Sequence, residues 1–435
     1  MQFIQSSALR KRAHELIPGG CHTYAKGDDQ YPTMSPGFIV KGAGCHVTDV
    51  DGNEFIEYGM GLRAVTLGHA YGPVLEAAQR QMRLGNNFVR PSPIEVECAQ
   101  EFLSMIKGAD MVKFAKNGSD ATNAAVRLAR AFTGRDLIAI CADHAFFSVD
   151  DWFIGTTEMS AGIPAPIREL TVNFRYNDIA SVQALFDRYP GRIAGLILEP
   201  EKNTPPANRF LRALKELCSR EGTLLIFDEM ITGFRWHNGG GQAYHEVVPD
   251  LSAFGKAMGN GFSIAALTGK REIMKLGGLD HDRERVFLLS LTHGAETPHL
   301  AAALEVMRIY QREPVVQTLW GQGRRLAAGI NKAIDELGLQ EYFELVGRPC
   351  CLVYTTRDEK KQPSQAFRAL FLQELIKRGV LAPSLIVSYS HQDSDIDRTI
   401  EATQDVLLVY KKALGEGIDQ YLVGRPVKPV FRKFN

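Results

Sequence analysis

Three short stretches of the chain pair reactive side chains with backbone settings that could use them. In Leu224-Leu225-Ile226-Phe227-Asp228-Glu229 an apolar run ends in two carboxylates. A carboxylate at the end of a buried strand is costly to hold alone, so one in this place calls for a cationic partner. A protonated ring nitrogen would serve, and the pair would keep that ring electron-withdrawing. In the segment from Asp250 to Gly261 a short apolar run delivers Lys256 into a glycine-rich turn. Glycines let the backbone approach a flat ligand. Phe254, Ala257 and Met258 around Lys256 favour a neutral, nucleophilic amine suited to forming a Schiff base with a carbonyl. The third stretch, Lys116-Asn117-Gly118-Ser119-Asp120-Ala121, opens a helix directly after an apolar run. Free backbone N–H groups, a hydroxyl and a residue without a side chain at a helix start suit an anion such as a phosphate.

Each stretch taken singly has a plainer explanation. Asp228 could cap a helix or bind a metal, Lys256 could be a solvated surface lysine, and Asn117 or Ser119 could be no more than a helix N-cap.

All three stretches need a scaffold that brings strand ends together. Between about residues 60 and 290 short apolar runs alternate with helical stretches. Strands are expected at Met111 to Ala115, Leu137 to Cys141, Ile193 to Leu198, Leu224 to Phe227 and Ala265 to Gly269. Helices such as Ala121 to Phe132 and Ile179 to Asp187 separate them. This alternation predicts an α/β fold with a mostly parallel sheet covered on both faces, in which ligands sit beyond the carboxyl ends of the strands. Ahead of it, Leu9, Ala13 and Leu16 recur at helical spacing, and Gly37 to Tyr58 alternates around a turn at Asp49, Asp51 and Gly52. A helical pattern runs from Pro298 to about Leu337, and a mixed region follows. The expected organisation is an N-terminal lobe over 1–58, a large domain over 59–310, and a C-terminal small domain over 311–435. No G-x-G-x-x-G follows the first strand of the α/β region, which sets a dinucleotide dehydrogenase aside. The histidines show no paired metal spacing.

Lys plus Arg and Asp plus Glu number 50 each, for a formal net charge of +0, with 45% hydrophobic residues. Neither nucleic acid nor an anionic membrane is an expected partner. The seven cysteines, at 21, 45, 98, 141, 218, 350 and 351, lack C-x-x-C spacing and read as free thiols. With no apolar signal core at the N-terminus and no long apolar run, a cytoplasmic location is expected.

In sequence order, DVDGNEFIEY (49–58), LGHA (67–70), the loop at 116–121 with RLARAFTGRD (127–136), ILEP (197–200), FDEMITGFR (227–235), PDLSAFGKAMGNGF (249–262) and GKREIM (269–274) resemble the class III aminotransferases. These are fold type I pyridoxal 5′-phosphate (PLP) enzymes, and the nearest branch is that of glutamate-1-semialdehyde 2,1-aminomutase. The resemblance covers nearly the whole chain. It implies a large PLP-binding domain with a mostly parallel sheet and a small α+β domain built from both ends of the chain. Lys256 would hold the cofactor as a Schiff base and move protons, Asp228 would pair with the ring nitrogen, and Met230 would pack on one ring face. Asn117, Gly118 and Ser119 would form the phosphate loop, joined by Thr292 of a neighbouring subunit in a homodimer. Glu199 would lie near the ring edge.

The departures from the family pattern fall mainly in the substrate half. At the aromatic segment that stacks on the ring this chain has His144-Ala145-Phe146, so His144, Phe146 or Phe147 would take that place. The N-terminal loop, where the aminomutase branch has a carboxylate-binding arginine, reads Gly20-Cys-His-Thr-Tyr-Ala-Lys26. A lysine offers a point charge instead of a planar fork. The tryptophan that usually follows the hairpin is missing from Gly59-Met-Gly-Leu-Arg63. The expectation is an aminotransferase that moves an amino group between a small-molecule donor and an aldehyde or ketone acceptor, such as a sugar or secondary-metabolite intermediate. Two alternatives stand beside it: the aminomutase itself, with Lys26 or Arg63 holding the carboxylate, and a non-catalytic protein that keeps the fold as a scaffold.

Overall fold

The computed structural model describes residues 1–207 and 209–434. Met1–Tyr71 together with the chain from Gln317 onward forms one compact unit, and Gly72–Val316 forms the other. The first unit opens with the helix Ile4–Leu16 and a meander of β1 (Ile39–Ala43), β2 (His46–Asp49) and β3 (Glu54–Glu57). The Asp49 carboxylate makes the expected turn between β2 and β3, accepting the N–H groups of Asp51 (3.0 Å) and Asn53 (2.7 Å) while Gly52 takes a positive φ.

The second unit is built on seven strands: β4 (Met111–Ala115), β5 (Leu137–Cys141), β6 (Thr171–Phe174), β7 (Ile193–Leu198), β8 (Leu224–Asp228), β9 (Leu251–Phe254) and β10 (Ala265–Gly269). Their spatial order is β4-β10-β9-β8-β7-β5-β6. The β9-β8, β8-β7, β7-β5 and β5-β6 pairs are parallel, and only β10 runs against its neighbours, as an antiparallel insert between β4 and β9. Six strands therefore end at the same edge. The runs LIAIC, IAGLIL and LLIFD are buried along their full length, as strands covered on both faces must be. The helix Gly118–Thr133 packs on the sheet through Ala121, Ala124, Ala125, Leu128 and Ala129. These small side chains permit a close approach, and a Cβ added at Gly195 of β7 would stand 3.0 Å from that of Ala129. The helix stops at Gly134, whose left-handed backbone returns its N–H to the Arg130 carbonyl. β6, an edge strand of mixed polarity (TVNF), was absent from the sequence expectation.

In the first unit the chain continues through the hairpin β11 (Phe343–Val346) and β12 (Val353–Thr356) and then β13 (Val380–Leu381), which joins β3 in parallel with Val380 opposite Ile56. One sheet thus unites segments from both ends of the sequence, in the order β1-β2-β3-β13. The compact units divide at 71/72 and 316/317, later than the 58/59 and 310/311 expected from sequence. Backbone bonding accounts for the difference. Ile386 N–H donates to the Tyr58 carbonyl, Tyr389 N–H to that of Thr66, and Ser390 Oγ to that of Leu67, so residues 59–71 stay with the first unit. Beyond Gln317, Arg325 makes ion pairs with Asp393 (2.9 Å) and Asp397 (2.7 Å) on the helix Asp393–Glu416. Among the described residues no helix is long and apolar enough to cross a membrane.

Candidate active site

The register of the sheet puts three of the singled-out residues at neighbouring strand ends. Leu198 pairs with Phe227, so Glu199 leaves β7 beside Asp228, the last residue of β8. Asp228 pairs with Ala253 on β9, and three residues further Lys256 begins the turn that sends the chain back as β10. Asp228 is 4% exposed, and its Oδ1 accepts the Met230 N–H at 2.9 Å. Burial pushes its carboxyl up to about 7; the charge on Glu199 adds to the rise and the Lys256 ammonium opposes it. The adjoining carboxylate, Glu229, is committed to local structure. It accepts the Thr232 hydroxyl and the N–H groups of Gly241 and Gln242, both at 2.7 Å, and so holds the start of the helix Gly240–Tyr244.

Lys256 is half-buried and has φ +44°, a left-handed conformation that costs a residue with a Cβ of order 1 kcal/mol. Gly255, before it, faces Met230 closely. A Cβ there would stand 2.7 Å from Met230 Sδ, and one at Gly118 would stand 2.9 Å from the same sulfur. Met230 therefore lies between the Lys256 turn and the start of the helix Gly118–Thr133. That helix begins three residues earlier than the sequence pattern indicated, with Asn117 as N-cap in a reciprocal box with Asp120. The capping explanation thus holds for Asn117. It leaves the first-turn N–H groups at Gly118 and Ser119 outside the helix's own ladder. Ser119 Oγ accepts the Val149 N–H at 3.1 Å, which anchors the 144–150 loop to the helix start.

Of the three aromatic candidates, Phe146 is exposed, Phe147 is buried against Phe153, and His144 lies beside Glu199. His144 Nδ1 accepts the Glu199 N–H at 3.1 Å, so the ring proton sits on Nε2, and burial lowers its pKa to about 4. Glu199 Oε1 is 3.4 Å from Lys202 Nζ, whereas Oε2 is buried and makes no hydrogen bond. Thr292 lies on an exposed segment, where its carbonyl accepts from Asn87 Nδ2 at 2.8 Å. It shares no hydrogen bond with the loop at 117–119. Lys26 and Arg63 belong to the other unit. Lys26 is exposed on the turn Tyr24–Lys26, and Arg63 ends the left-handed run Met60–Arg63, with φ +70°.

This edge of the sheet thus offers an amine, a buried carboxylate beside it and a helix start with unused N–H groups. A sequence profile of the family described as Aminotransferase class-III matches residues 27–407. The chain belongs to this family. It is 32% identical to a glutamate-1-semialdehyde 2,1-aminomutase of Geotalea daltonii over 434 residues, covering 93% of this chain and 99% of the relative. It is 31% identical to a 3-aminobutyryl-CoA aminotransferase of Cloacimonas acidaminovorans, covering 95% and 99%. Among solved structures, FumI of Sphingopyxis sp. MTA144, determined in its PLP internal aldimine form, superposes with a TM-score of 0.87 at 28% identity, covering 94% of this chain and 97% of that one.

Within this class-III aminotransferase, sequence reasoning missed Tyr176, whose ring lies 5.0 Å from that of His144 and whose hydroxyl donates to the Pro200 carbonyl at 2.7 Å. It follows the unexpected strand β6, and the rule that found Asp228, to look just past strand ends, would have found it. Also missed was the ion cluster of Lys116, Glu296 and His299, with His299 Nδ1 3.0 Å from both partners, which ties the helix start to the segment after Thr292.

Proposed function

We propose that the chain is a PLP-dependent aminotransferase acting on an aldehyde or ketone other than glutamate 1-semialdehyde. The observation that carries the cofactor reading is the juxtaposition of a buried Asp228, charged at a cost, with Lys256 one strand away. The residues present suit the group. The helix start at Gly118 and Ser119 takes a phosphate, and Asp228 offers the acceptor that a protonated ring nitrogen requires. Met230 supplies an apolar surface for one ring face, and the unpartnered Glu199 Oε2 awaits a donor. His144 borders the same place with a neutral imidazole. When bound, PLP supplies the electron-withdrawing ring that stabilises a carbanion at the carbon bearing the amine. Lys256 would hold the group covalently and, once displaced from it by the incoming amine, would be free to take the proton from the carbon bearing that amine and to deliver it at the next step.

The loops at 20–26 and 59–63 support a changed substrate, since Lys26 stands nearest the place of the arginine of the aminomutase branch and the branch's tryptophan is absent from residues 59–63. Identity near 32% to proteins named as aminomutases over almost the full chain keeps that activity as the second reading. A panel of amino donors, each assayed with purified holoenzyme for release of the corresponding carbonyl product, separates the two. Turnover of at least one donor is expected. Robust conversion of glutamate 1-semialdehyde to 5-aminolevulinate would overturn the proposal in favour of the aminomutase.

A homodimer belongs to the same reading. Leu84, Phe88, Val89, Phe287 and Leu291 are exposed large apolar side chains on two segments. The segments are joined by the bond from Asn87 to Thr292, and by Thr297, whose N–H and hydroxyl bond the carbonyls of Asn86 and Gly85. A second copy covering this patch would also cover Thr292. Val89 is 100% exposed, so Val89→Asp leaves the subunit's core intact while placing a charge in the patch. Sedimentation should show wild-type dimers and a variant shifted towards monomers, with weakened cofactor retention.

A further inference from the structure

A cleft of about 420 Å³ opens just past the ends of β5, β6 and β7, lined by Asp143, His144, Arg175, Asn177, Asp178 and Lys202 among others. Its volume lies in the range of small-molecule sites. Each of three acceptor side chains in its wall is held by one backbone N–H. Asp143 Oδ2 accepts the Tyr176 N–H at 2.7 Å, Asp178 Oδ1 the Ser181 N–H at 3.0 Å, and Asn177 Oδ1 the Ala207 N–H at 2.8 Å. The donors are not held in this way. Among the described residues the Arg175 guanidinium has no hydrogen bond or ion pair; the bonds of this residue are made by its backbone, the N–H to Ser181 Oγ and the carbonyl from the Asp178 N–H. Lys202 has one distant partner, Glu199 at 3.4 Å, and His144, with Nδ1 engaged, keeps its Nε2–H. We infer that this cleft is an anion subsite that takes a carboxylate or phosphate carried by the substrate away from its reacting carbon.

Two contacts tie the cleft to the active site: His144 lines it while binding the Glu199 backbone, and Lys202 lines it while pairing with the Glu199 side chain. The planar fork of Arg175 matches either anion with two bonds, whereas Lys202 contributes a point charge. That the anion is part of the substrate rests on the cofactor reading above; the anion site itself does not.

Arg175 is exposed and its side chain is unbonded, so its replacement leaves the fold untouched. Calorimetric titration of the holoenzyme with inorganic phosphate, sulfate, succinate and a neutral polyol at low ionic strength tests the inference. Saturable binding of at least one anion is expected. It should weaken about tenfold in Arg175→Ala, as loss of one charge-assisted pair implies, and vanish in Arg175→Glu, with the melting temperature and cofactor absorbance unchanged. The tightest of the three anions identifies the substrate's group. No saturable anion binding by wild type, equal binding of the polyol, or unchanged binding in Arg175→Glu would overturn the inference. Failure of the cofactor reading shows separately, as protein that gains no visible absorbance on incubation with PLP, and the Arg175 dependence can still be measured on that protein.

Discussion

Replacing Lys256 with alanine is expected to lower turnover by roughly 10⁴-fold or more and to abolish the visible absorbance of a lysine-held cofactor, because one side chain provides both the covalent hold and the proton transfer. The cofactor should still copurify, held non-covalently through the start of the helix Gly118–Thr133 and through Asp228. Folding should survive as well, since Lys256 is half-buried and alanine inherits the same left-handed backbone. Lys256→Gly serves as a control: freed of a Cβ at φ +44°, it should be more stable than the alanine variant by about 1 kcal/mol, read from urea midpoints. Both variants remove the positive charge that opposes protonation of Asp228, so that carboxyl should rise further above the usual range. Residual turnover within tenfold of wild type in either variant would remove Lys256 from the centre of the chemistry.

The parts of the site legible in the sequence are those set by strand ends. Asp228 and Lys256 could be singled out because each closely follows an apolar run, and the resemblance to the family decided among the readings each allowed. The same logic missed Tyr176, because β6 is an edge strand whose TVNF pattern carries no continuous apolar signal. The antiparallel insertion of β10 was equally hidden. A run such as AALTG looks the same in either direction, and the reversal follows from the tight turn at Lys256–Gly259. Sequence pattern also could not divide Asp228 from Glu229. Only the partners do so, with Glu229 engaged by Thr232, Gly241 and Gln242 while Asp228 keeps a single bond to Met230. The division of the chain at 71/72 depends on pairing with residues more than 300 positions away, such as Leu67 with Ser390, and no local window contains it.

Asp228→Asn should separate function from stability. The folded carboxyl titrates near 7 and the unfolded one at its ordinary value of 3.8. Between those values the unfolded chain has released a proton that the folded chain retains, so stability falls as pH rises through the window, by about 4 kcal/mol in all, and is level above it. Asparagine has no proton to release and lacks this slope. In cofactor-free protein the variant should therefore match wild type near pH 4 and exceed it in stability at pH 8, measured by urea unfolding across the range. Glu229, raised to about 7 by burial, has the same sign in both proteins and drops out of the comparison. Activity should move the other way. Without a carboxylate to keep the ring nitrogen protonated, turnover should fall roughly 10²- to 10³-fold, the scale seen when one preorganised electrostatic contact is lost from an active site. Adding PLP should stabilise wild type more than the variant, because a cation facing Asp228 turns the burial penalty into an attraction. If the cofactor-free variant were instead less stable than wild type at pH 8, Asp228 would be a structural carboxylate like Glu229, and the buried charge would be no sign of a waiting cation.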